Sequence, residues 1–544
     1  MTFRTSLPAF VIAAVVAFGY WWLEGRPVTL IDAPHGRIRC VSYAPFKGDQ
    51  TPADPDLIIP AAQIEADLKV LAARFDCVRT YSVANGLDEV PAIAEKVGLK
   101  VLQGAWIGRD AVRNATEIAT AVELAQAHPN TVRALVIGNE TLLRRELPAE
   151  QLGALLRAAK ADSPVPVTYA DVWEFWLRNA SLADSVDFVT IHILPYWEDI
   201  PIGIDHAVDH VRAILAKVKG TFGEKPLLIG ETGWPSAGRQ RGPATPSLVN
   251  QARFIRGVVA FAETNGVDYN VIEAFDQPWK RGQEGTVGGY WGLYDESRAP
   301  KFGFTGPVQE DPAWLLHAIL SIGLAAIALL AAGRRGWPRS AASTMACVAA
   351  TVAATSTLVA AAQFVAVTSL GPRGWTFGLA GLALSAVTGV ALLLDAMEPA
   401  PPADRPRAAP LRTVLDWLGR PWTSSYGPGL LLGLLHGAAV FAAAAISLAL
   451  VFDPRYRDFP IAMFLIPAVG FLALGRRARA GADAREEMWL GRILAAAAVV
   501  SAIREGPENW QSLAWTATAL ALALPWCGIL PATRSESAHE ASRA

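Results

Sequence analysis

The sequence predicts an α/β fold: a (β/α)8 TIM barrel followed by an all-α multi-span transmembrane domain. Three observations predict it. Eight short β-branched or apolar runs, each closed by polar or aromatic residues, succeed one another between Arg37 and Lys280. Segments with apolar residues at helical spacing separate them. Beyond Asp311 the character changes, Lys301 being the last lysine, and long apolar stretches follow one another. The 544 residues are 52% hydrophobic and 18% charged with a mean hydropathy of +0.28, which excludes a disordered chain. Lys plus Arg (48) against Asp plus Glu (50) gives a formal net charge of −2, so nucleic acid is not an expected partner.

The elements follow in order. Leu7 to Leu23 form an apolar run behind Arg4, and Tyr20, Trp21 and Trp22 are too bulky for a signal-peptidase site, so residues 1–28 read as an uncleaved anchor. The strand candidates begin with Arg37 to Phe46, Cys77 to Ser82, Lys100 to Ile107 and Arg133 to Glu140. Pro166 to Asp171, Phe188 to Tyr196, Pro226 to Pro235 and Tyr269 to Lys280 complete the set. Helical spacing appears in Ile64 to Arg74, Glu117 to Ala127, Ala149 to Ala161, Ala207 to Lys219 and Leu248 to Thr264. Eight such repeats are the arithmetic of a (β/α)8 barrel over residues 29–311, with a doubly wound sheet as the alternative.

Residues 312–544 read as a membrane domain with seven spans, near 313–333, 341–367, 375–395, 428–452, 459–475, 487–503 and 511–531, eight with the anchor. With a cytoplasmic N-terminus, 14 arginines fall in inside segments and 4 (Arg373, Arg455, Arg457, Arg504) in outside loops. That asymmetry places the barrel outside the cytoplasm. Polar groups in the spans are few, mainly Gln363, His436 and Arg492 with Asp395 at an end, which speaks against an ion-coupled transporter. The Pro- and Ala-rich linker from Glu398 to Pro410 carries no readable motif.

Four cysteines exclude a disulfide-built scaffold, and none has metal-type spacing. Cys40 and Cys77 fall on neighbouring strands, where a reduced core pair is the expectation and a structural disulfide the alternative; Cys347 and Cys527 lie in spans. His206 and His210 share a helix face without a third ligand, so neither a metal nor a cofactor is expected.

In a barrel of this kind the strand C-terminal ends converge on the face that holds active sites. Tyr43, Arg79, Tyr81, Trp106, Asn139, Glu140, Tyr169, Asp171, His192, Tyr196, Glu231, Trp234, Glu273, Gln277 and Lys280 all fall late in, or just past, their predicted strands. Glu140 ends strand four and Glu231 ends strand seven, on opposite sides of the mouth, where two carboxyls can flank a bond laid across it. Glycoside hydrolysis uses such a pair: one carboxyl, kept protonated by its surroundings, donates to the leaving oxygen while the other, ionised, attacks the anomeric carbon. Trp106, Tyr169, Trp173, Trp176, Tyr196, Trp197, Trp234, Trp279 and Trp291 offer flat faces for pyranose rings, Tyr196 and Trp234 being the first choices.

The segments VIGNE (Val136 to Glu140), HILPYW (His192 to Trp197), IGETGWPS (Ile229 to Ser236) and EAFDQPWK (Glu273 to Lys280) resemble glycoside hydrolase family 17. The resemblance covers most of Cys40 to Lys301. It implies a retaining β-glycosidase on a (β/α)8 barrel, acting on β-1,3-glucan, with Glu140 as acid/base and Glu231 as nucleophile. Tyr43, Arg79, Tyr81, Asn139, Tyr169, Tyr196, Trp234, Glu273 and Lys280 are the expected substrate-binding residues. Lys280 is expected to help hold the acid/base ionised after proton transfer, with Glu273 as an extra partner. Relatives often carry FDE where this chain has Phe275, Asp276 and Gln277, so a supporting carboxylate appears as an amide.

Membrane-embedded bacterial members are associated with cyclic or branched glucans. The resemblance therefore implies a glucanosyltransferase of a bacterial inner membrane that elongates, branches or cyclises β-glucan on the outer face. The expected partners are β-glucan, the lipid bilayer and a membrane glucan synthase. An endo-β-1,3-glucanase is the alternative, and a glucan-binding barrel on a transport or scaffold domain the further one.

Overall fold

A computed structural model describes residues 3–334, 336–338, 340–397, 408–419, 429–452, 456–474 and 485–524. The chain divides into two compact units, Pro27–Glu310 and the pair of segments Met1–Arg26 and Asp311–Ala544.

The first unit is a closed barrel of eight parallel strands in sequential order: β1 (Ile38–Ser42), β2 (Phe75–Arg79), β3 (Lys100–Ala105), β4 (Val132–Asn139), β5 (Val167–Val172), β6 (Val189–His192), β7 (Leu227–Thr232) and β8 (Asp268–Val271). Val41 pairs with Val271 to close it. The strands are covered on both faces and therefore read as nearly continuous apolar runs. Register shifts in the β4–β5, β6–β7 and β7–β8 pairings fall towards the C-terminal ends of these strands, around Asn139, His192 and Thr232. The irregular ladder there re-aims the side chains that line the mouth.

The helices start where the chain offers a cap. Asp110 accepts from the N–H groups of Val112 and Arg113 to open Ala111–Ala127, and Ser247 accepts from Asn250 to open Leu248–Thr264. Helices Val90–Val97 and Trp173–Arg178 were not expected from periodicity, being only 8 and 6 residues long. Strand eight is shorter than its apolar run, because the chain leaves the ladder after Val271 and continues as the loop that carries Glu273 and Lys280.

One expectation is corrected here: Cys40 and Cys77 are bonded, not reduced. They are register partners on β1 and β2 with Cα atoms 4.4 Å apart, a distance a disulfide spans. Cys347 is a free thiol, and Cys527 lies outside the described residues.

The second unit is helical. Among the described residues five helices are long and apolar enough to cross a membrane: Ser6–Gly25, Trp314–Gly333, Ala341–Thr368, Gly371–Met397 and Leu430–Phe452. The helices at the other three expected spans, Ile461–Leu474, Arg485–Glu505 and Trp510–Ala523, border residues 475–484 and 525–544, which lie outside the described residues. Ile461–Leu474 and Trp510–Ala523 have 14 residues each. Arg485–Glu505 carries Glu486, Glu487, Arg492 and Arg504 along its length. Large apolar side chains such as Phe377 (76% exposed) and Leu330 (71%) point outward from the long helices, as suits an apolar surrounding.

Candidate active site

Glu140 follows β4 directly and takes a left-handed φ of 54°, while Gly138 just before it has a φ of 88°. A Cβ at Gly138 would stand 2.9 Å from Thr141 Oγ1 and 3.2 Å from the Tyr169 ring, so only glycine fits the approach to this turn. Glu231 sits one residue before the end of β7. Its predecessor Gly230 is equally constrained, since a Cβ there would come within 2.4 Å of the Thr190 methyl.

These turns bring the two carboxyls to one place. One oxygen of Glu140, one of Glu231 and a ring nitrogen of His192 all lie within 4.8 Å of one another. His192, at the end of β6, bridges them: Nδ1 is 3.0 Å from Glu140 Oε1 and Nε2 is 3.7 Å from Glu231 Oε1. Arg79, at the end of β2, ties the floor together. Its Nη1 donates to the Gly230 carbonyl at 2.7 Å and to Glu231 Oε1 at 3.1 Å, and its Nη2 donates to Asn139 Oδ1 at 2.6 Å. The side chain of Glu140 is 23% exposed and that of Glu231 only 6%, so Glu140 is the one open to incoming molecules.

Three donors within this distance have the composition of a metal site, yet the arrangement does not fit one. Arg79 already places a fixed cation on Glu231, and the two imidazole nitrogens face different glutamates, so no ring lone pair is aimed at a common centre.

The electrostatics correct one expectation. Burial works to raise the Glu140 pKa, but the hydrogen bond and charge of His192, with Arg144 and Arg79, outweigh it and hold the carboxyl below its usual range. Asp171 is pushed up to about 6 by burial and by the charge of Glu140. Burial likewise pushes Glu273 up to about 7, against the pull of Lys280 at 2.7 Å. Lys280 pairs with Glu273 and also feels the charge of Glu231.

The expected binding residues divide. Asn139, Arg79, Tyr81, Glu273 and Lys280 lie around the two glutamates, Tyr81 with its hydroxyl on Ser42 Oγ at 2.9 Å and its ring 4.8 Å from the Arg79 guanidinium. Tyr43, Tyr169, Tyr196 and Trp234 are at most 1% exposed, so their rings are packing surfaces and not walls of a groove, a correction to the expectation for all four. Each polar tip is consumed internally: Tyr43 on Asp67, Tyr169 on Asp171, Tyr196 on the Arg239 carbonyl and Trp234 on the Thr245 carbonyl. Trp176 and Trp291 are core as well. Trp106 and Trp197 remain partly open, the first with the Arg144 guanidinium 4.1 Å from its ring centre.

Gln277 is buried because its amide is needed as an amide: Nε2 donates to the carbonyls of Ala44 at 2.9 Å and Phe275 at 3.2 Å, while Oε1 accepts from Trp279. Sequence reasoning placed His192 at a strand end without giving it a role; its pairing opposite Glu231 in the β6–β7 register was the available signal. Arg144 had no signal, since it acts from an irregular loop.

Residues 40–292 match the family model of the BtgE/BtgC glycoside hydrolase domain. The chain is 28% identical over 261 residues to a glucan 1,3-beta-glucosidase of Candida albicans, covering 44% of this chain and 84% of that protein. It is 29% identical over 253 residues to the enzyme of that name from Schizosaccharomyces pombe, covering 44% and 78% respectively. Among solved structures, a glycoside hydrolase family 17 β-1,3-glucanosyltransferase from Rhizomucor miehei is similar with 25% identity and a TM-score of 0.43, covering 49% of this chain and 98% of that one.

Proposed function

We propose that this chain is a retaining β-1,3-glucan glucanosyltransferase that works by double displacement. The observation that carries the reading is the approach of Glu140 and Glu231 to within 4.8 Å across the barrel mouth. Retaining enzymes hold their carboxyls about 5 to 5.5 Å apart, whereas inverting ones leave roughly 6.5 to 9.5 Å for a water. Glu231, fixed by Arg79, attacks the anomeric carbon while Glu140, held by His192, delivers a proton to the departing glucan oxygen. The ester on Glu231 is then broken by an acceptor hydroxyl, whose proton returns to Glu140.

The membrane reading supports transfer. Five long apolar helices and the arginine asymmetry suit a multi-pass protein with its barrel outside the cytoplasm, and the Cys40–Cys77 disulfide suits an oxidising compartment. An enzyme kept in the membrane holds a high effective concentration near a chain emerging from a membrane synthase. Hydrolysis is the second reading, favoured by relatives named glucosidases. Mass spectrometry of products from laminari-oligosaccharides decides: products longer than the substrate are expected, all of them lost in Glu231→Gln. Short products alone would leave hydrolysis, and an unchanged profile in Glu231→Gln would remove the assignment of both glutamates.

A further inference from the structure

The turn after β4 is held by side chains that the two-carboxylate mechanism does not use. A left-handed backbone at a residue other than glycine costs on the order of 1–2 kcal/mol, so the conformation of Glu140 must be imposed by its surroundings. β5 imposes it. Glu140 N donates to the Ala170 carbonyl at 2.8 Å, Leu142 N donates to the Tyr169 hydroxyl oxygen at 2.9 Å, and Leu143 N donates to Asp171 Oδ2 at 3.3 Å. The Tyr169 hydroxyl itself donates to the same Asp171 oxygen. Tyr169 and Asp171 are two residues apart, so the strand projects both to one side, and both are fully buried. Neither can touch a sugar; together they supply the acceptors that a turn of this shape cannot find in its own backbone.

We propose that Tyr169 and Asp171 form a positioning unit for the general acid/base, holding residues 140–143 in the conformation that aims the Glu140 carboxyl across the mouth at Glu231. This rests on the roles proposed above for the two glutamates. Its consequence is selective. Proton donation matters when the leaving group is a glucan alcohol and hardly matters when it is dinitrophenolate, which departs unprotonated.

The test compares Tyr169→Phe and Asp171→Asn with the wild type on laminari-oligosaccharides and on dinitrophenyl β-laminaribioside, in the intact, detergent-solubilised protein. The amplitude of the dinitrophenolate burst counts competent Glu231, so misfolded protein lowers the amplitude and not the rate. The burst rate is expected to stay within about threefold, while turnover of the oligosaccharide falls by roughly a hundredfold. Azide is expected to accelerate the slow second step in both variants by replacing the misplaced base. Equal losses on both substrates, or no loss on either, would overturn the positioning role. A wild type that releases no dinitrophenolate would instead overturn the glutamate assignment beneath it.

Discussion

Arg79 Nη1 stands 3.1 Å from Glu231 Oε1, with both side chains almost wholly withdrawn from solvent. The same guanidinium holds Asn139 with its other terminal nitrogen and thereby joins β2, β4 and β7 under the mouth. A lysine is a point cation that cannot reach in both directions. Arg79→Lys is therefore expected to cost at least about a hundredfold in kcat while changing KM less. Arg79→Ala leaves Glu231 buried without its partner and is expected to lose roughly 3–5 kcal/mol of stability. Steady-state kinetics and denaturant melts check both; near-wild-type kcat in Arg79→Lys would remove Arg79 from the site.

His192 is the main group that holds the Glu140 carboxyl down against its burial. His192→Gln keeps a hydrogen-bond donor in place and removes the charge, so the carboxyl pKa is expected to rise. The alkaline limb of kcat/KM, where the free enzyme loses the proton that Glu140 must donate, should then move to higher pH by on the order of one unit. An unmoved limb would show that the profile belongs to another group.

Three buried carboxyls set the pH dependence of stability. Asp171 and Asp276 are pushed up to about 6 and Glu273 to about 7, in each case chiefly by burial. Between their unfolded values near 4 and these raised ones, the folded barrel binds more protons than the unfolded chain, so stability falls as pH rises through the window from about 4 to 7. Glu273 contributes at most roughly 3 kcal/mol to that fall. Thermal melts across the window should show a declining Tm, flattened in Glu273→Gln; a Tm that rises with pH would contradict the sign.

The barrel was legible because its eight strands are apolar on both faces and end in polar residues. The two glutamates were legible because each stands at such an end. The electrostatics were not, since the charge on Glu140 depends on a histidine from another strand and an arginine from a loop. Aromatic residues misled for a related reason: Tyr43, Tyr169, Tyr196 and Trp234 follow the same strand-end rule as Asn139, but which way a large ring turns is settled by packing.

Gln277 illustrates a departure explained by neighbours. Its Nε2 faces two carbonyls, so Gln277→Glu would set a carboxylate against them and lose two donors. The variant is expected to be about 1–3 kcal/mol less stable with Glu231 still competent, which burst amplitude and melts distinguish. A variant as stable as the wild type would mean that the loop rearranges to accept the acid.

The Cys40–Cys77 bond closes a sequence separation of 37 residues, for which the chain-entropy account gives about 4 kcal/mol of stabilisation. Both cysteines are buried in the barrel, so Cys40→Ala with Cys77→Ala also trades a packed bridge for two methyls. The double variant is expected to melt well below the wild type, and reductant should lower the wild-type Tm while leaving the variant unchanged. The same bond bears on topology. If the barrel lies outside the cytoplasm, the helix Ala341–Thr368 begins inside and ends outside, so a membrane-impermeant thiol reagent should label Leu370→Cys in intact cells and Ser340→Cys only after permeabilisation. Labelling in the reverse order would put the barrel in the reducing compartment, where a structural disulfide does not persist.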